Sequence, residues 1–272
     1  ALPGALPATS SERPIARMMR RMDNPFRRWF GKAPPVASGA GGRAPAAAWA
    51  ATRGHRFALS RDASGFVIEA PPGTATGFQR IEWGTAQRPY FDGRELRIRG
   101  EVAGGRELQM LVVSRTLMAA LERAVFEEFT QSNETRIDDQ TPEEMRWLVL
   151  YPKLPRSVMG AIGEQYAALS NLPNAAAVWL EGTLADELGR ASKWLPAQGL
   201  LIVTVQRQRI SLRCEVEEPD AGLLDAALKL FDVAQAAARR VGDELAAGRI
   251  GSERPSRWGA PSVMPGADGA GR

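Results

Sequence analysis

A chain with one histidine and one cysteine has few routes to side-chain chemistry. His55 is that only histidine. A Ser-His-Asp or Cys-His relay could be assembled only around it, and a metal site with several imidazole ligands is excluded. It stands between Arg53 and Arg56 at the edge of a strand-like run, which reads as a surface histidine rather than a proton shuttle. Cys214 falls at an inward position of an alternating segment and reads as an unreactive thiol in a core. Alone, it forms no internal disulfide and no Cys-x-x-Cys metal knuckle. The acidic run NETRIDDQTPEE supplies Glu134, Asp138, Asp139, Glu143 and Glu144, carboxylates of the kind that bind a hard cation. Glu143 and Glu144, however, follow Thr141 and Pro142 in the pattern of a helix start, where acidic residues serve the helix dipole. No metal and no cofactor is therefore expected. There is no Walker loop, dinucleotide fingerprint or nucleophile elbow, and GAGG at 39–42 has no strand before it.

Two groups of residues point to binding instead. In RELRIRGEV, strict alternation places Glu95, Arg97, Arg99 and Glu101 on one strand face, with Leu96 and Ile98 on the other. QRIEW adds Arg80 and Glu82 for cross-strand pairing. Such a face is either a solvated sheet surface with interleaved charges or a platform on which Arg80, Arg97 and Arg99 receive an anionic ligand. The second group is NPFRRWFGK, where helical spacing brings Phe26, Trp29 and Phe30 to one side while Arg27, Arg28 and Lys32 supply charge. A segment of this kind suits a groove on a partner protein or a membrane surface. The leading functional reading is a non-enzymatic adaptor or protein-interaction protein that engages its partner through Phe26, Arg27, Arg28, Trp29 and Phe30. The alternatives are attachment of basic tails to an anionic surface, membrane or nucleic acid, and an enzyme of unfamiliar type with a pocket near Arg97, Arg99 and the acidic run. Trp83, Trp147, Trp179 and Trp194 suit either a core or an interface, so a homodimer is compatible with the sequence.

The charge distribution bears on these readings. The net charge is +4, but residues 1–48 hold eight basic and two acidic side chains, and residues 249–272 hold four and two. The tails thus carry +8 and the body between them −4. A slightly acidic body is a poor surface for a polyanion, whose binding grows with the number of phosphates neutralised. The longest apolar run, LLIVTV, falls far short of the roughly 20 residues that a spanning helix needs. ALPGALPATSSERP lacks the cationic and apolar regions of a secretory signal. A reducing, cytoplasmic location is expected. Met18, Met19 and Met22 are all plausible initiators, so residues 1–21 read as an upstream extension. The Ala-, Arg- and Gly-rich composition suits a GC-rich bacterial gene.

The elements that would position these residues form an α+β fold: an antiparallel sheet with packed helices and disordered basic termini. Residues 1–48 read as a tail and a Pro/Gly/Ala linker, 49–248 as the globular body, with possible halves 49–135 and 136–248, and 249–272 as a second tail. A short helix at AAAWAATRG precedes a meander of four or five strands. HRFALS and FVIEA form one hairpin, and RPYF and RELRIRGEV form another around Asp92-Gly93. A helix is expected from about Arg115 to Gln131, with Leu117, Leu121, Ala124, Val125 and Phe129 on one stripe. Another starts at TPEE and turns Met145, Trp147 and Leu148 inward. RSVMGAIGEQYAALS and NAAAVWLEGTLADELGRAS read as two further helices. GLLIVTV and RISLRCEV return to β structure. A long last helix is capped by Asp220 and ended by Gly248. LRIRGEV and ISLRCEV echo each other at an offset of 114, which suggests a duplicated strand-strand-helix unit.

Overall fold

In the computed structural model, residues 42–71, 77–91, 93–131, 143–196 and 199–251 are described, with 127–131 as backbone only. The N-terminal segment around Phe26–Phe30, Thr141 with Pro142, the carboxylates Glu134, Asp138 and Asp139, and most of both tails lie outside these residues. Helix α1 (Arg43–Thr52) leads into β1 (Arg56–Leu59), β2 (Phe66–Glu69), β3 (Phe78–Thr85) and β4 (Arg94–Glu101). Then come β5 (Gln109–Ser114), α2 (Arg115–Gln131), α3 (Glu143–Leu150), the short α4 (Arg156–Met159) with a 3₁₀ turn over Gly160–Glu164, and β6 (Tyr166–Ser170). The chain continues through α5 (Pro173–Trp179), α6 (Thr183–Ala191), β7 (Leu201–Gln206), β8 (Arg209–Glu215) and α7 (Ala221–Ala246). All strands join one eight-stranded antiparallel sheet in the order β1-β2-β3-β4-β8-β7-β5-β6. This is the α+β architecture that the alternating and helical periodicities imply. No helix among the described residues is long and apolar enough to cross a membrane.

The two faces of the sheet meet different neighbours. On the first, Ile81, Trp83, Leu96, Ile98, Leu212 and Cys214 are buried in a core completed by α1, α5, α6 and α7. Helix α7 turns Leu224, Ala227, Leu230, Phe231, Ala234, Ala238 and Val241 into it at helical spacing. Each fully buried large apolar side chain there stabilises by roughly 1.5–3 kcal/mol. Asp220 caps the helix by accepting from Leu223 N at 2.7 Å, and Gly248, in the left-handed region at φ 68°, follows its end. Gln235 interrupts the apolar stripe for a reason: its Nε2 donates to Gly77 O at 2.6 Å and Glu101 O at 2.7 Å, fastening α7 to the ends of β3 and β4. The strand beneath must approach closely. A Cβ on Gly100 would lie 2.5 Å from Gly77 O.

On the second face, α2 and α3 cover β5, β6 and β7. Leu111, Val113, Leu117, Leu121, Met145 and Trp147 belong to this smaller core. Among the described residues no helix covers β1–β4 on that side; only residues 86–91 fold over it, placing Tyr90 and Phe91 in the smaller core. A bulge at Gln79 separates the pairs Phe78↔Gly100 and Arg80↔Arg99. It leaves Phe78, Ile81 and Trp83 on the core face and sets Arg80 beside Arg99 on the other.

Several expectations are corrected. RPYF is no hairpin arm: its aromatics turn into the smaller core, and β3 rather than RPYF pairs with β4. QYAALS is not helical. Gly160, at φ 56°, breaks the turn after α4, and Tyr166–Ser170, buried at every position, pairs with β5. NAAAVWLEGTLADELGRAS is divided into α5 and α6 by Gly182 at φ 63°. The linker expected over 33–48 is helical from Arg43, and Ala46 is buried. The echoing segments LRIRGEV and ISLRCEV are neighbours, β4 and β8, with Leu96 opposite Cys214 and Ile98 opposite Leu212. Their strands match, but α7 follows β8 directly whereas β5 intervenes between β4 and α2, so the strand-strand-helix order is met only in the second hairpin.

Candidate functional site

Alternation on β4 and β8 places Arg97 and Arg99, then Arg209, Ser211 and Arg213, on the second face, and β3 adds Arg80 and Glu82. Three guanidiniums converge on one carboxylate. Arg80 Nε lies 2.7 Å from Glu82 Oε1, while Arg97 Nη2 and Arg99 Nη2 lie 3.1 and 3.3 Å from Oε2. The contacts on Oε2 are ionic without hydrogen-bond alignment, and Arg97 Nε and Nη1 have no hydrogen-bond partner although the residue is only 6% exposed. Burial, with Arg213 and Arg99 adding to it against the pull of Glu95 and Glu82, lowers the Arg97 pKa. The next carboxylate, Glu69, is shared by Arg56 and Arg80 at 3.7 Å each. These four guanidiniums therefore answer to two carboxylates, an excess of two positive charges. Arg213, by contrast, is matched: its Nη1 donates to the buried Glu95 Oε1 at 2.5 Å, and Glu95 Oε2 accepts from Gln87 N at 2.9 Å.

Strands β3, β4, β7 and β8 and helix α3 line an open cavity of about 720 Å³. Arg80, Arg99 and Arg213 stand on its sheet side, and Arg207 and Arg209 at its lower rim. Among the described residues, neither Arg207 nor Arg209 forms an ion pair; Glu101 faces Arg209 in register without pairing to it. Between the arginines, Thr204 Oγ1 and Ser211 Oγ are 2.7 Å apart. The opposite wall is α3. Glu144 Oε1 accepts from Arg88 Nη2 at 3.1 Å, and Glu143 Oε1 accepts from Gln206 Nε2 at 3.0 Å with Arg146 Nη2 at 3.7 Å. Of the acidic residues expected to serve the helix start, Glu143 thus also holds α3 to β7, and Glu144 holds it to the connection after β3. A smaller cavity of about 420 Å³ adjoins on the β1–β2 side, lined by Arg97 and sharing Arg80 with the first.

The three expected platform residues, Arg80, Arg97 and Arg99, are brought together, but the face is not simply solvated: Glu95, Arg97 and Arg213 are buried. Arg88, Arg207, Arg209 and Arg213 were not singled out from sequence. For Arg209 and Arg213 the signal was their alternation, with Ser211, against Ile210, Leu212 and Cys214; Arg88 and Arg207 lie outside that pattern. His55 is half-buried rather than a surface residue, edge-on to Phe78 at 5.0 Å and tilted against Trp49 at 5.8 Å. Burial, then Arg53, lowers its pKa and favours the neutral ring. Cys214 is buried, and burial, then Glu95, pushes its thiol pKa far up, which removes it as a nucleophile. Among the described residues no three His, Cys, Asp or Glu side chains form a metal-binding group. The chemistry this arrangement offers is multidentate recognition of an anion by guanidinium forks and hydroxyls.

What the fold and site define is a half-covered antiparallel sheet with an arginine cavity on its open half. No family model matches the chain, and no curated protein does. Among solved structures, the mycobacterial trehalose monomycolate transport factor A is similar over 74% of this chain and 96% of its own, with a TM-score of 0.39 and 11% identity. That similarity is too distant to transfer a function.

Proposed function

We propose that the protein is a non-enzymatic interaction protein that receives an anionic segment of a partner protein on the open half of its sheet. The observation that supports this is the uncompensated charge of two adjoining cavities that share Arg80: Glu82 of the smaller is shared by three arginines, and Arg207 and Arg209 of the larger are unpaired among the described residues. Small-molecule pockets are mostly apolar, whereas this cavity has mainly ionic and polar walls, which suits a charged chain segment. The test is calorimetric titration with an acidic peptide of about ten residues at low salt, against the wild type and an Arg99→Ala/Arg209→Ala variant; affinity should fall with salt and with the substitutions. Binding unaffected by either would refute the assignment. The segment Phe26, Arg27, Arg28, Trp29 and Phe30 is proposed as a second, tethered contact with the same partner. Once a partner is in hand, a chain lacking residues 1–41 should bind it more weakly while retaining the cavity contact.

A further inference from the structure

Resting on that reading, we infer that the anionic group received by the cavity is a phosphate monoester on the partner segment, and that Arg207 is held in place to meet it. Charge is the first ground. The Glu69–Glu82 cluster, most of which lines the adjoining smaller cavity, has an excess of two guanidiniums, and in the larger cavity Arg207 and Arg209 add two more against Glu101, which faces Arg209 in register, so the joined face keeps a net excess of three. A carboxylate brings a single negative charge, while a phosphate monoester brings about −1.5 to −2 and three acceptor oxygens. Glu143 and Glu144 on the far wall do not alter the balance, because Arg146 and Arg88 already face them. Donor supply is the second ground. The Thr204 and Ser211 hydroxyls bond to each other, and such a pair keeps one hydroxyl hydrogen to donate outward, beside the arginine forks.

Backbone conformation is the third. Strands β7 and β8 are joined by the two-residue turn Arg207-Gln208, with φ 49° and 62°. A turn with both central residues left-handed favours Asn-Gly, not two long side chains. Gln208 is engaged by the fold, since its carbonyl accepts from Val102 N at 2.8 Å and its Oε1 from Arg106 Nε at 3.3 Å. The Arg207 guanidinium has no hydrogen bond or ion pair among the described residues, and it lines the cavity. An arginine in a left-handed backbone position that favours asparagine or glycine, with its side chain unused by the fold, is accounted for by a ligand.

The experiment is calorimetry on the full chain with four probes: an acidic peptide bearing one phosphoserine, its unphosphorylated form, its glutamate-substituted form, and inorganic phosphate. The phosphopeptide should bind at least about tenfold more tightly than the glutamate form. Arg207→Gly should remove most of that preference without lowering the thermal midpoint, since glycine relieves the turn. Equal binding of phosphoserine and glutamate forms, or a preference that survives Arg207→Gly, would overturn the inference while leaving the anionic-segment reading intact. Binding of none of the four would overturn both. Inorganic phosphate binding as tightly as the phosphopeptide would support phosphate recognition and count against a partner segment as its source.

Discussion

Replacing Glu82 by Gln should weaken the fold and strengthen anion binding in the same protein. Glu82 has a side-chain exposure of 13% and holds Arg97, itself 6% exposed, at 3.1 Å. Removing one partner of a buried ion pair costs about 3–5 kcal/mol, because the remaining charge cannot rehydrate. Arg80 and Arg99 are each 44% exposed in their side chains and can turn to water, so their share is a fraction of a kcal/mol. The expected loss is thus about 3 kcal/mol, carried mainly by Arg97. Urea unfolding followed by tryptophan fluorescence reads it as a lower midpoint at unchanged slope. Combining Glu82→Gln with Arg97→Met should recover much of the loss, since the orphaned charge leaves with its partner. The single variant should bind an acidic peptide more tightly than the wild type, having lost a competing carboxylate. A loss below about 1 kcal/mol, or no recovery in the double variant, would mean that Arg97 is already solvated and that the assigned electrostatics are wrong.

Other outcomes follow from the surrounding fold. Arg207→Gly should stabilise, or leave unchanged, by up to about 1 kcal/mol, because a left-handed non-glycine residue costs roughly 1–2 kcal/mol and glycine returns part of that as chain entropy; urea unfolding checks it. Gly100→Ala should destabilise by about 2 kcal/mol or more, since the new Cβ would collide with the Gly77 carbonyl beneath α7; differential calorimetry should show a lower midpoint. Burial raises the Tyr166 pKa to about 12, and its hydroxyl donates to Leu188 O at 3.0 Å. The neutral phenol is the form the fold favours, so this contribution is complete below the unfolded pKa near 10 and is lost as pH rises through about 12, about 3 kcal/mol in all; unfolding titrations across that window measure it. Cys214 should react with a thiol reagent only at the rate of global opening, with one thiol appearing on adding urea.

Where one physical signal dominated, the sequence was legible. Helix α2 runs over Arg115–Gln131 as its periodicity implied, and α7 ends at the cap residues expected. The strand β8 buries Ile210, Leu212 and Cys214, and the chain just after it buries Val216, as the alternation required. Legibility failed where tertiary pairing overrode local preference. The alanines of Tyr166–Ser170 favour a helix in isolation, but an edge position beside β5, buried on both sides, makes them a strand. Tyr90 and Phe91 belong to a connection because the smaller core lacks a wall there, a fact about α3 and β5 that no local window contains. Alternation placed Arg80, Arg97 and Arg99 on one face, yet their sharing of Glu82 depends on the Gln79 bulge and on strand register. Arg207 could be recognised only once the φ values of its turn were known.

The most direct test of the arginine cavity is to follow the arginine Nε–Hε resonances of the full chain during titration with the phosphoserine peptide. If the account holds, the signals of Arg99, Arg207 and Arg209 shift together and saturate at one peptide per chain, while that of Arg53, paired with Asp225 at 2.7 Å beside α1, stays still. Uniform small shifts across all exposed arginines, or no shift in those three, would contradict it.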